Sequence, residues 1–248
     1  MSQSKQIALV TGANKGLGLE TARQLSQKGV TVILSARSEE KGQAAVDQLR
    51  SEGVETDFIK LDVTDGEDIQ HASAYIDTKY GKLDMLVNNA GISKEKTASY
   101  AVNTSPVVEA DIIKEVYETN VFGAIALTQV LLPLLEKSDS GRIINVSSEL
   151  GSLALHADNT SPVYRLKKFA YNSSKTVLNQ FTVHLAEALK DTRVKINSVS
   201  PGWVKTDMGS QYAPLEIPDG AKIIVEVALA KDTPNGAFIT HEARRIPW

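Results

Sequence analysis

The chain has 248 residues, of which 42% are hydrophobic and 23% are charged, and it contains no cysteine. This composition is that of a globular protein, and the lack of cysteine excludes disulfides, thiolate nucleophiles and cysteine-ligated zinc. The formal net charge of −3 gives no sign of the clustered basic surface of a nucleic-acid-binding protein, so no nucleic-acid partner is expected.

Neither a membrane segment nor a metal site is expected. The apolar stretch Val121–Leu135 is interrupted by polar residues and Pro133, and it is shorter than the ~20 residues that a membrane span needs. The polar start Met1–Gln6 has no apolar signal region, which together with the lack of cysteine predicts a cytoplasmic protein. The four histidines are scattered without the spacing of metal ligands.

Short β-branched runs alternate with helical patterns along the chain. Seven runs predict strands, at Ile7–Val10, Val30–Ser35, Asp57–Leu61, Leu83–Val87, Arg142–Val146, Val194–Val199 and Ala237–Thr240. The segments between them predict helices, at Gly18–Lys28, Glu39–Ser51, Asp68–Tyr80, Asp111–Leu135 and Tyr171–Leu189. Alternating strands and helices build a parallel sheet with right-handed crossovers. The sequence therefore predicts a single α/β domain over residues 1–248, with a Rossmann-type doubly wound parallel sheet of about seven strands and helices on both faces.

A glycine-rich loop connects the first strand to the first helix. It reads Thr11-Gly12-Ala13-Asn14-Lys15-Gly16-Leu17-Gly18. Glycine permits a sharp turn and a close approach of the backbone to a pyrophosphate, and the N-terminus of the following helix offers free N–H groups to that anion. A purely structural turn would also collect glycines, but the order of strand, glycines and helix favours dinucleotide binding.

The spacing Gly-x3-Gly-x-Gly after a threonine resembles that of the short-chain dehydrogenase/reductase family. Further motifs of this family follow in its order, at Asp62, Asn88-Asn89-Ala90-Gly91, Asn120, Ser147-Ser148, Tyr171-x3-Lys175 and Pro201-Gly202. Together the matches span nearly the whole chain. Within the family the chain is most similar to monomeric carbonyl reductases, in Asn14-Lys15-Gly16, in Pro201-Gly202-Trp203-Val204-Lys205-Thr206-Asp207-Met208 and in Trp248.

The residues after the second strand predict which nicotinamide cofactor is bound. A carboxylate at this point accepts a hydrogen bond from the ribose 2′-hydroxyl of NAD, whereas arginine accommodates the 2′-phosphate of NADP. Ala36 stands where the carboxylate would be, Arg37 follows it, and Lys15 adds a second positive charge. Both cations could be ordinary solvated surface residues, but their joint placement favours NADP(H).

The resemblance implies further contacts with the cofactor. By motif position, Asp62 and Val63 would lie near the adenine, and Asn89 would lie beside the adenosine part. Val204 and Thr206 would contact the carboxamide of the nicotinamide.

Carbonyl reduction needs a hydride donor and an acid that protonates the developing alkoxide. A tyrosine can be this acid when a lysine one helical turn away lowers its pKa. The spacing Tyr-x3-Lys occurs three times, at Tyr75/Lys79, Tyr164/Lys168 and Tyr171/Lys175. Tyr75 lies far from the carboxyl end of any predicted strand, and Tyr164 lies in a long connecting segment. Tyr171 begins a helix and is nearer to the family's usual motif, so the sequence favours Tyr171 with Lys175.

Two further residues complete the predicted catalytic set. Ser147 and Ser148 follow the fifth strand, where neighbouring side chains point to opposite sides, and the family position selects Ser148 to orient the carbonyl. Asn120 falls within a predicted helix, where it could be an ordinary exposed polar residue. The resemblance implies instead that Asn120 bends the helix and holds a water that links the lysine to solvent for proton relay.

The chain departs from the family pattern beside this set. Ser148 and Tyr171 are 23 residues apart, which is more than in most members of the family. Monomeric carbonyl reductases carry a longer insertion here that obstructs the usual tetramer face, so the chain is expected to be monomeric. The short segment Asp207–Asp219 stands where the family has a lid, and it predicts an open cleft.

The sequence thus predicts an NADPH-dependent reductase of small-molecule aldehydes or ketones. The same four residues, Asn120, Ser148, Tyr171 and Lys175, would also serve an alcohol dehydrogenase or a 3-oxoacyl-thioester reductase. A non-catalytic protein that senses NADPH is the alternative from a different class, and the intact catalytic set disfavours it.

Overall fold

A computed structural model of the chain describes residues 5–95 and 105–248. In these residues one sheet is formed by β1 (Ile7–Val10), β2 (Thr31–Ala36), β3 (Asp57–Lys60), β4 (Met85–Asn88), β5 (Arg142–Val146), β6 (Lys195–Ser200) and β7 (Phe238–Thr240). The strand order is β3-β2-β1-β4-β5-β6-β7, and every neighbouring pair is parallel. The predicted doubly wound parallel sheet of about seven strands is confirmed.

The helices include all five that the sequence predicts. They are α1 (Gly16–Gln27), α2 (Glu39–Ser51), α3 (Gly66–Tyr80), α4 (Ala110–Tyr117), α5 (Ala124–Glu136), α6 (Leu153–Ala157), α7 (Phe169–Ala188) and α8 (Ile217–Leu229). A π-helical turn, Glu118–Gly123, joins α4 to α5 within what the sequence predicts as one long helix, and a 3-10 turn, Glu149–Gly151, precedes α6. The sequence analysis did not predict α6 or α8.

Strand β1 is apolar throughout because helices cover both faces of the sheet. In β1, Ala8 and Val10 face a core that α1, α2 and α8 complete. Ile7 and Leu9 face the opposite core, which α3, α5 and α7 complete. Since successive side chains of a strand point to opposite faces, a strand buried on both sides needs an unbroken apolar run.

The continuous helical stretch Ala110–Glu136 is longer than the apolar run Val121–Leu135 within it. It contains a window of mean hydropathy 1.4, so by length and composition alone it could cross a membrane. The helix is thus longer than the apolar run on which the sequence expectation rested, because α4 and the π-helical turn extend it. Half of the window is buried within the protein, where Leu127 and Leu131 pack in the core beside α3.

The order of the strands creates a crevice at the carboxyl edge of the sheet. The chain builds outward from β1 to β3 and then returns to place β4 on the other side of β1. The loops after β1 and β4 therefore diverge to opposite faces, and ligands of open α/β sheets bind in the crevice between such loops.

Candidate active site

The glycine loop after β1 packs directly against the residues that follow β4. Gly12 has a φ of 60°, and a Cβ on it would lie 3.0 Å from the Ala90 Cα. A Cβ on Gly18 would lie 2.5 Å from the Asn89 Nδ2. A larger residue at either position would force the two loops apart, so these glycines are required by the close approach and, at Gly12, by the backbone angle.

Thr11 and Asn89 hold these two loops together. The Thr11 Oγ1 accepts hydrogen bonds from the backbone N–H groups of Asn89 and Ala90, at 3.0 and 2.9 Å. In return, the Asn89 Nδ2 donates to the carbonyl oxygens of Thr11 and Gly12, at 2.8 and 3.2 Å. Asn89 therefore fixes the shape of the glycine loop, a role that the sequence analysis did not assign to it.

Helix α1 starts inside the glycine loop, at Gly16, and presents an N-terminus that no side chain caps. Its N-cap residue, Lys15, has an extended backbone and makes no side-chain hydrogen bond to the first turn. The first N–H groups of a helix, here including those of Leu17 and Gly18, have no carbonyl partner within the helix. Together with the positive end of the helix dipole, these N–H groups suit a pyrophosphate. The loop and helix therefore fit an anionic dinucleotide.

A cavity of about 450 Å³ lies beside the glycine loop and the end of β2. It is lined by Asn14, Lys15, Arg37, Ser38, Lys41, Ala44, Ala45 and Gln48. Of these described residues, three are cations and none is a carboxylate, which suits a phosphate group. The sequence analysis predicted Asn14, Lys15 and Arg37 but missed Lys41. A signal for Lys41 was available, since it follows Arg37 by only four positions and lies in the first turn of α2.

The segment after β6 closes the crevice on the other side of the glycine loop. Lys15 forms an ion pair with Asp207 of this segment, although both side chains are exposed and such pairs stabilise little. The Thr206 methyl group approaches the loop, since a Cβ on Gly16 would lie 3.6 Å from it. Val204 is buried and pairs with Leu215 in an isolated bridge. The structure thus brings the glycine loop and the predicted nicotinamide contacts to one crevice.

Asp62 and Val63 follow β3 at the same edge of the sheet. The Asp62 Oδ1 accepts hydrogen bonds from the Thr64 N–H at 3.0 Å and from the Thr64 hydroxyl at 2.8 Å. Val63 is buried. This turn holds the Asp62 carboxylate at the carboxyl end of the strand, where the resemblance places the adenine.

Tyr171 and Lys175 lie on successive turns of α7, next to the carboxyl end of β5. The Lys175 Nζ lies 5.7 Å from the centroid of the Tyr171 ring and donates to the Val146 carbonyl at 2.8 Å. The Ser148 side chain, just past β5, is a hydrogen-bond partner that acts to lower the pKa of Tyr171. The structure therefore brings Ser148, Tyr171 and Lys175 together.

Ser147 points away from this group. It is buried, and its hydroxyl donates to the Asn179 Oδ1 at 2.6 Å. Because successive side chains point to opposite sides at the end of the strand, Ser147 points into the interior and Ser148 lies beside Tyr171.

Burial dominates the electrostatics of Tyr171 and Lys175. It raises the pKa of Tyr171 to about 12, and the Ser148 hydrogen bond offsets only part of this increase. It lowers the pKa of Lys175 to about 8. The expected lowering of the Tyr171 pKa by Lys175 is not found, because the cost of desolvating the phenolate is larger. Tyr171 is consequently a protonated phenol at neutral pH.

Asn120 lies in the π-helical turn, and its side-chain amide binds both backbone groups of Ile92 in the loop after β4. Its Oδ1 accepts from the Ile92 N–H at 2.8 Å, and its Nδ2 donates to the Ile92 carbonyl at 2.9 Å. Its Nδ2 also donates to the Ser174 Oγ of α7 at 3.0 Å. A Cβ on Gly91 would lie 3.4 Å from the Asn120 Oδ1 and 3.5 Å from the Lys175 Nζ, so the amide and the lysine border the same small space. The π-helical turn interrupts the regular α-helix at the position where the resemblance implies a bend.

The two competing tyrosines make contacts of a different kind. The Lys79 Nζ donates to the Tyr75 hydroxyl at 3.1 Å and to the Asp57 carboxylate at 2.6 Å, on an exposed surface of α3. Tyr164 is partly exposed, and the Lys167 Nζ lies 4.5 Å from its ring centroid. Neither tyrosine is therefore paired with its lysine in the way that Tyr171 is: Tyr75 belongs to a surface ion-pair group, and Tyr164 makes a surface cation–π contact.

The residues between Ser148 and Tyr171 are tied to the last residues of the chain. The Ala154 N–H of α6 donates to the Trp248 carbonyl at 3.0 Å, and the Ser152 hydroxyl donates to the Pro247 carbonyl at 2.7 Å. The Trp248 ring stacks on Phe238 of β7 with a centroid distance of 5.4 Å. The inserted residues are therefore anchored to the sheet beside the crevice.

Comparison with known proteins shows relatives that match almost the whole chain. Residues 6–216 match the family model described as short chain dehydrogenase. A (+)-neomenthol dehydrogenase from Capsicum annuum is 34% identical, with 95% of each chain covered. Carbonyl reductase (NADPH) 1 from Bos taurus is 33% identical, with 100% of each chain covered. The structure of NADPH-bound carbonyl reductase from chicken fatty liver is 27% identical and superposes with a TM-score of 0.85, covering 98% of this chain and 99% of that one.

Proposed function

Because the chain belongs to the short-chain dehydrogenase family of oxidoreductases, we propose that it is an NADPH-dependent carbonyl reductase acting on small-molecule aldehydes or ketones. The observation that carries this proposal is the convergence of Ser148, Tyr171 and Lys175 at the carboxyl edge of the sheet. That group lies in the same crevice as a glycine loop whose helix N-terminus suits a dinucleotide. NADPH, when bound, supplies the hydride.

Tyr171 is the proton donor in this proposal. Its pKa of about 12 keeps the phenol protonated at neutral pH, which suits reduction, since the developing alkoxide must take up a proton. Ser148 donates a hydrogen bond to the carbonyl oxygen of the substrate and orients it. Lys175, with a pKa of about 8, is mainly protonated at pH 7 and favours the phenolate that remains after the proton has left. Asn120 borders the same small space as this lysine and takes part in the proton relay.

The cationic cavity supports NADP(H) as the cofactor. Arg37, Lys41 and Lys15 surround the space in which a ribose 2′-phosphate would lie, and no described lining residue is a carboxylate that would select the 2′-hydroxyl of NAD. Gly12, Gly16 and Gly18 leave the backbone of the loop open to the pyrophosphate. Two relatives agree with this assignment. The name of the Bos taurus carbonyl reductase includes NADPH, and the structure of the chicken carbonyl reductase contains bound NADPH.

We also propose that the protein acts as a single-domain monomer in the cytoplasm, without a membrane partner. One sheet carries both the cofactor residues and the catalytic residues, which supports one domain. The anchored insertion before α7 supports the monomer, since the corresponding insertion of monomeric carbonyl reductases obstructs the tetramer face.

Absorbance of NADPH, followed with a panel of aldehydes and ketones, tests the proposed function. The purified protein is expected to consume NADPH with several members of the panel and to consume NADH much more slowly. A mixture without carbonyl compound serves as the control. Tight binding of NADPH with no consumption across the panel would contradict a reductase and favour the NADPH-sensing alternative.

A further inference from the structure

A buried carboxylate, that of Glu95, lies at the N-terminus of the helix that carries Tyr171. Glu95 is only 5% exposed. Its two carboxylate oxygens accept hydrogen bonds from the Ala170 N–H at 2.7 Å and from the Tyr171 N–H at 3.0 Å. The N-cap residue of α7, Lys168, makes no side-chain hydrogen bond to the first turn. A residue 75 positions away in the sequence therefore supplies the cap that the local sequence lacks.

This arrangement costs more than an ordinary helix cap. A buried carboxylate loses its hydration, and burial accordingly raises the pKa of Glu95. The two N–H groups and the positive end of the helix dipole stabilise its ionised form and offset part of that cost. A serine or threonine at the N-cap would satisfy the same N–H groups without burying a charge. What Glu95 adds beyond a cap is a negative charge beside the residue that donates the proton.

We propose that Glu95 is a positioning residue for the proton donor: its buried carboxylate binds the Ala170 and Tyr171 N–H groups, fixes the first turn of α7 and places a negative charge beside Tyr171. The inference rests on the proposed function, because it assigns Glu95 to the same site. It separates Glu95 from Ser148, whose hydrogen bond acts to lower the pKa of Tyr171.

The charges around Glu95 and Tyr171 agree with this role. They are Lys175 beside Tyr171, Lys168 at the N-cap of α7, and the ion pair of Lys94 with Glu115 of α4 at 2.6 Å. The negative charge of Glu95 raises the pKa of Tyr171, and the positive charge of Lys168 lowers the pKa of Glu95. At the alkaline pH at which Tyr171 would lose its proton, Glu95 is ionised, so its charge opposes formation of the phenolate.

The substitution Glu95→Gln tests the charge with little change of shape. Tyr171 loses its proton near pH 12, far above the pKa of about 8 of Lys175, so a pH profile of activity would report Lys175 first. The Tyr171 titration is therefore followed directly by NMR of ¹³C-labelled tyrosine rings, in which Tyr171→Phe identifies the signal of Tyr171. Without the negative charge of Glu95, this titration is expected to move to lower pH by about half a unit or more. The matched control is Glu115→Gln, which removes the exposed carboxylate that pairs with the neighbouring Lys94 and should leave the titration unchanged.

A further variant separates the parts of the proposal. Glu95→Asp keeps the charge but shortens the reach to the N–H groups, so kcat should fall while the Tyr171 titration stays near that of the wild type. A Tyr171 titration that moves to lower pH in Glu95→Asp would show that the charge is not what Glu95 contributes, which tests the proposal even if Glu95→Gln does not fold.

An unchanged Tyr171 titration in folded Glu95→Gln would overturn the proposal and leave Glu95 as a helix cap alone. A wild-type protein that consumes no NADPH with any carbonyl compound would instead contradict the proposed function. The two failures are distinguishable, because the NMR titration requires neither cofactor nor turnover.

Discussion

Tyr171 is surrounded by residues that act on different parts of it. Glu95 binds its backbone N–H, Ser148 acts on its phenol, and the Lys175 ammonium lies 5.7 Å from the centre of its ring. The resemblance to the family predicted Ser148 and Lys175, because both occupy motif positions, one after the fifth strand and one a helical turn after Tyr171. It could not predict Glu95, since that contact joins a loop to a helix start 76 positions away. The sequence also could not predict the raised pKa of Tyr171, because that shift depends on burial in the folded protein.

The residues that surround the proposed 2′-phosphate predict a specific change in cofactor preference. Arg37→Ala and Lys41→Ala are each expected to raise the KM for NADPH by roughly tenfold or more, since a hydrogen bond to a charged group contributes about 1.5–3 kcal/mol. The KM for NADH should change little, because NADH lacks the phosphate. Initial rates with both cofactors measure the effect.

Arg50→Ala is the matched control for these variants. Arg50 is an exposed cation in the last turn of α2, paired with Asp47 and outside the residues that line the cavity. Its loss should leave both KM values unchanged. Equal losses for NADPH and NADH in Arg37→Ala with Lys41→Ala would refute the phosphate assignment.

At the scale of elements, α8 shows where the sequence pattern misleads. It reads Ile-Pro-Asp-Gly-Ala-Lys-Ile-Ile-Val-Glu-Val-Ala-Leu, in which proline and glycine are turn formers and the β-branched run is typical of a strand. Pro218 lies in the first turn, where its missing N–H costs nothing. Ile223, Ile224 and Val227 pack into the core shared with α1. Tertiary burial overrides the local propensity here, whereas the amphipathic patterns of α1 to α3 were long enough to predict helices.

The packing of α8 predicts a loss of stability on truncation of one side chain. Ile224 is fully buried in the core between α8 and the sheet, so Ile224→Ala should lower the free energy of unfolding by about 2–5 kcal/mol. Denaturant unfolding measures this change. Lys222→Ala, at an exposed position of the same helix, should change stability by no more than about 0.5 kcal/mol. Equal effects of the two substitutions would show that α8 does not contribute to the core in this way.

At the scale of the whole molecule, the seven-stranded sheet places residues from distant parts of the chain at one edge. The parallel sheet could be predicted because near-continuous apolar runs alternate with amphipathic segments, and the carboxyl ends of such strands meet at one edge. Two sets of contacts could not be predicted, because they depend on how loops meet after folding. They are the hydrogen bonds between Thr11 and Asn89 and the stacking of Trp248 on Phe238. The general place of the site was therefore accessible from the sequence, and its internal contacts were not.

The anchored insertion predicts the assembly state. Because the residues between Ser148 and Tyr171 are fixed to β7 and the last residues of the chain, we expect them to cover the surface through which related enzymes form tetramers. Sedimentation velocity at micromolar concentration should show a species of about 27 kDa, the mass of one chain. A tetramer under these conditions would refute the monomer.

The rate of carbonyl reduction by Tyr171→Phe, measured under saturating NADPH with a substrate that the wild type reduces, tests the central claim most directly. Loss of the general acid should lower kcat by about 10²–10⁴-fold while the Kd for NADPH, measured separately, stays near that of the wild type. The matched variants Tyr75→Phe and Tyr164→Phe remove the same hydroxyl from the two other Tyr-x3-Lys pairs and should retain near wild-type rates. Near wild-type turnover in Tyr171→Phe, or a comparable loss in Tyr164→Phe, would contradict the assignment of Tyr171 as the proton donor.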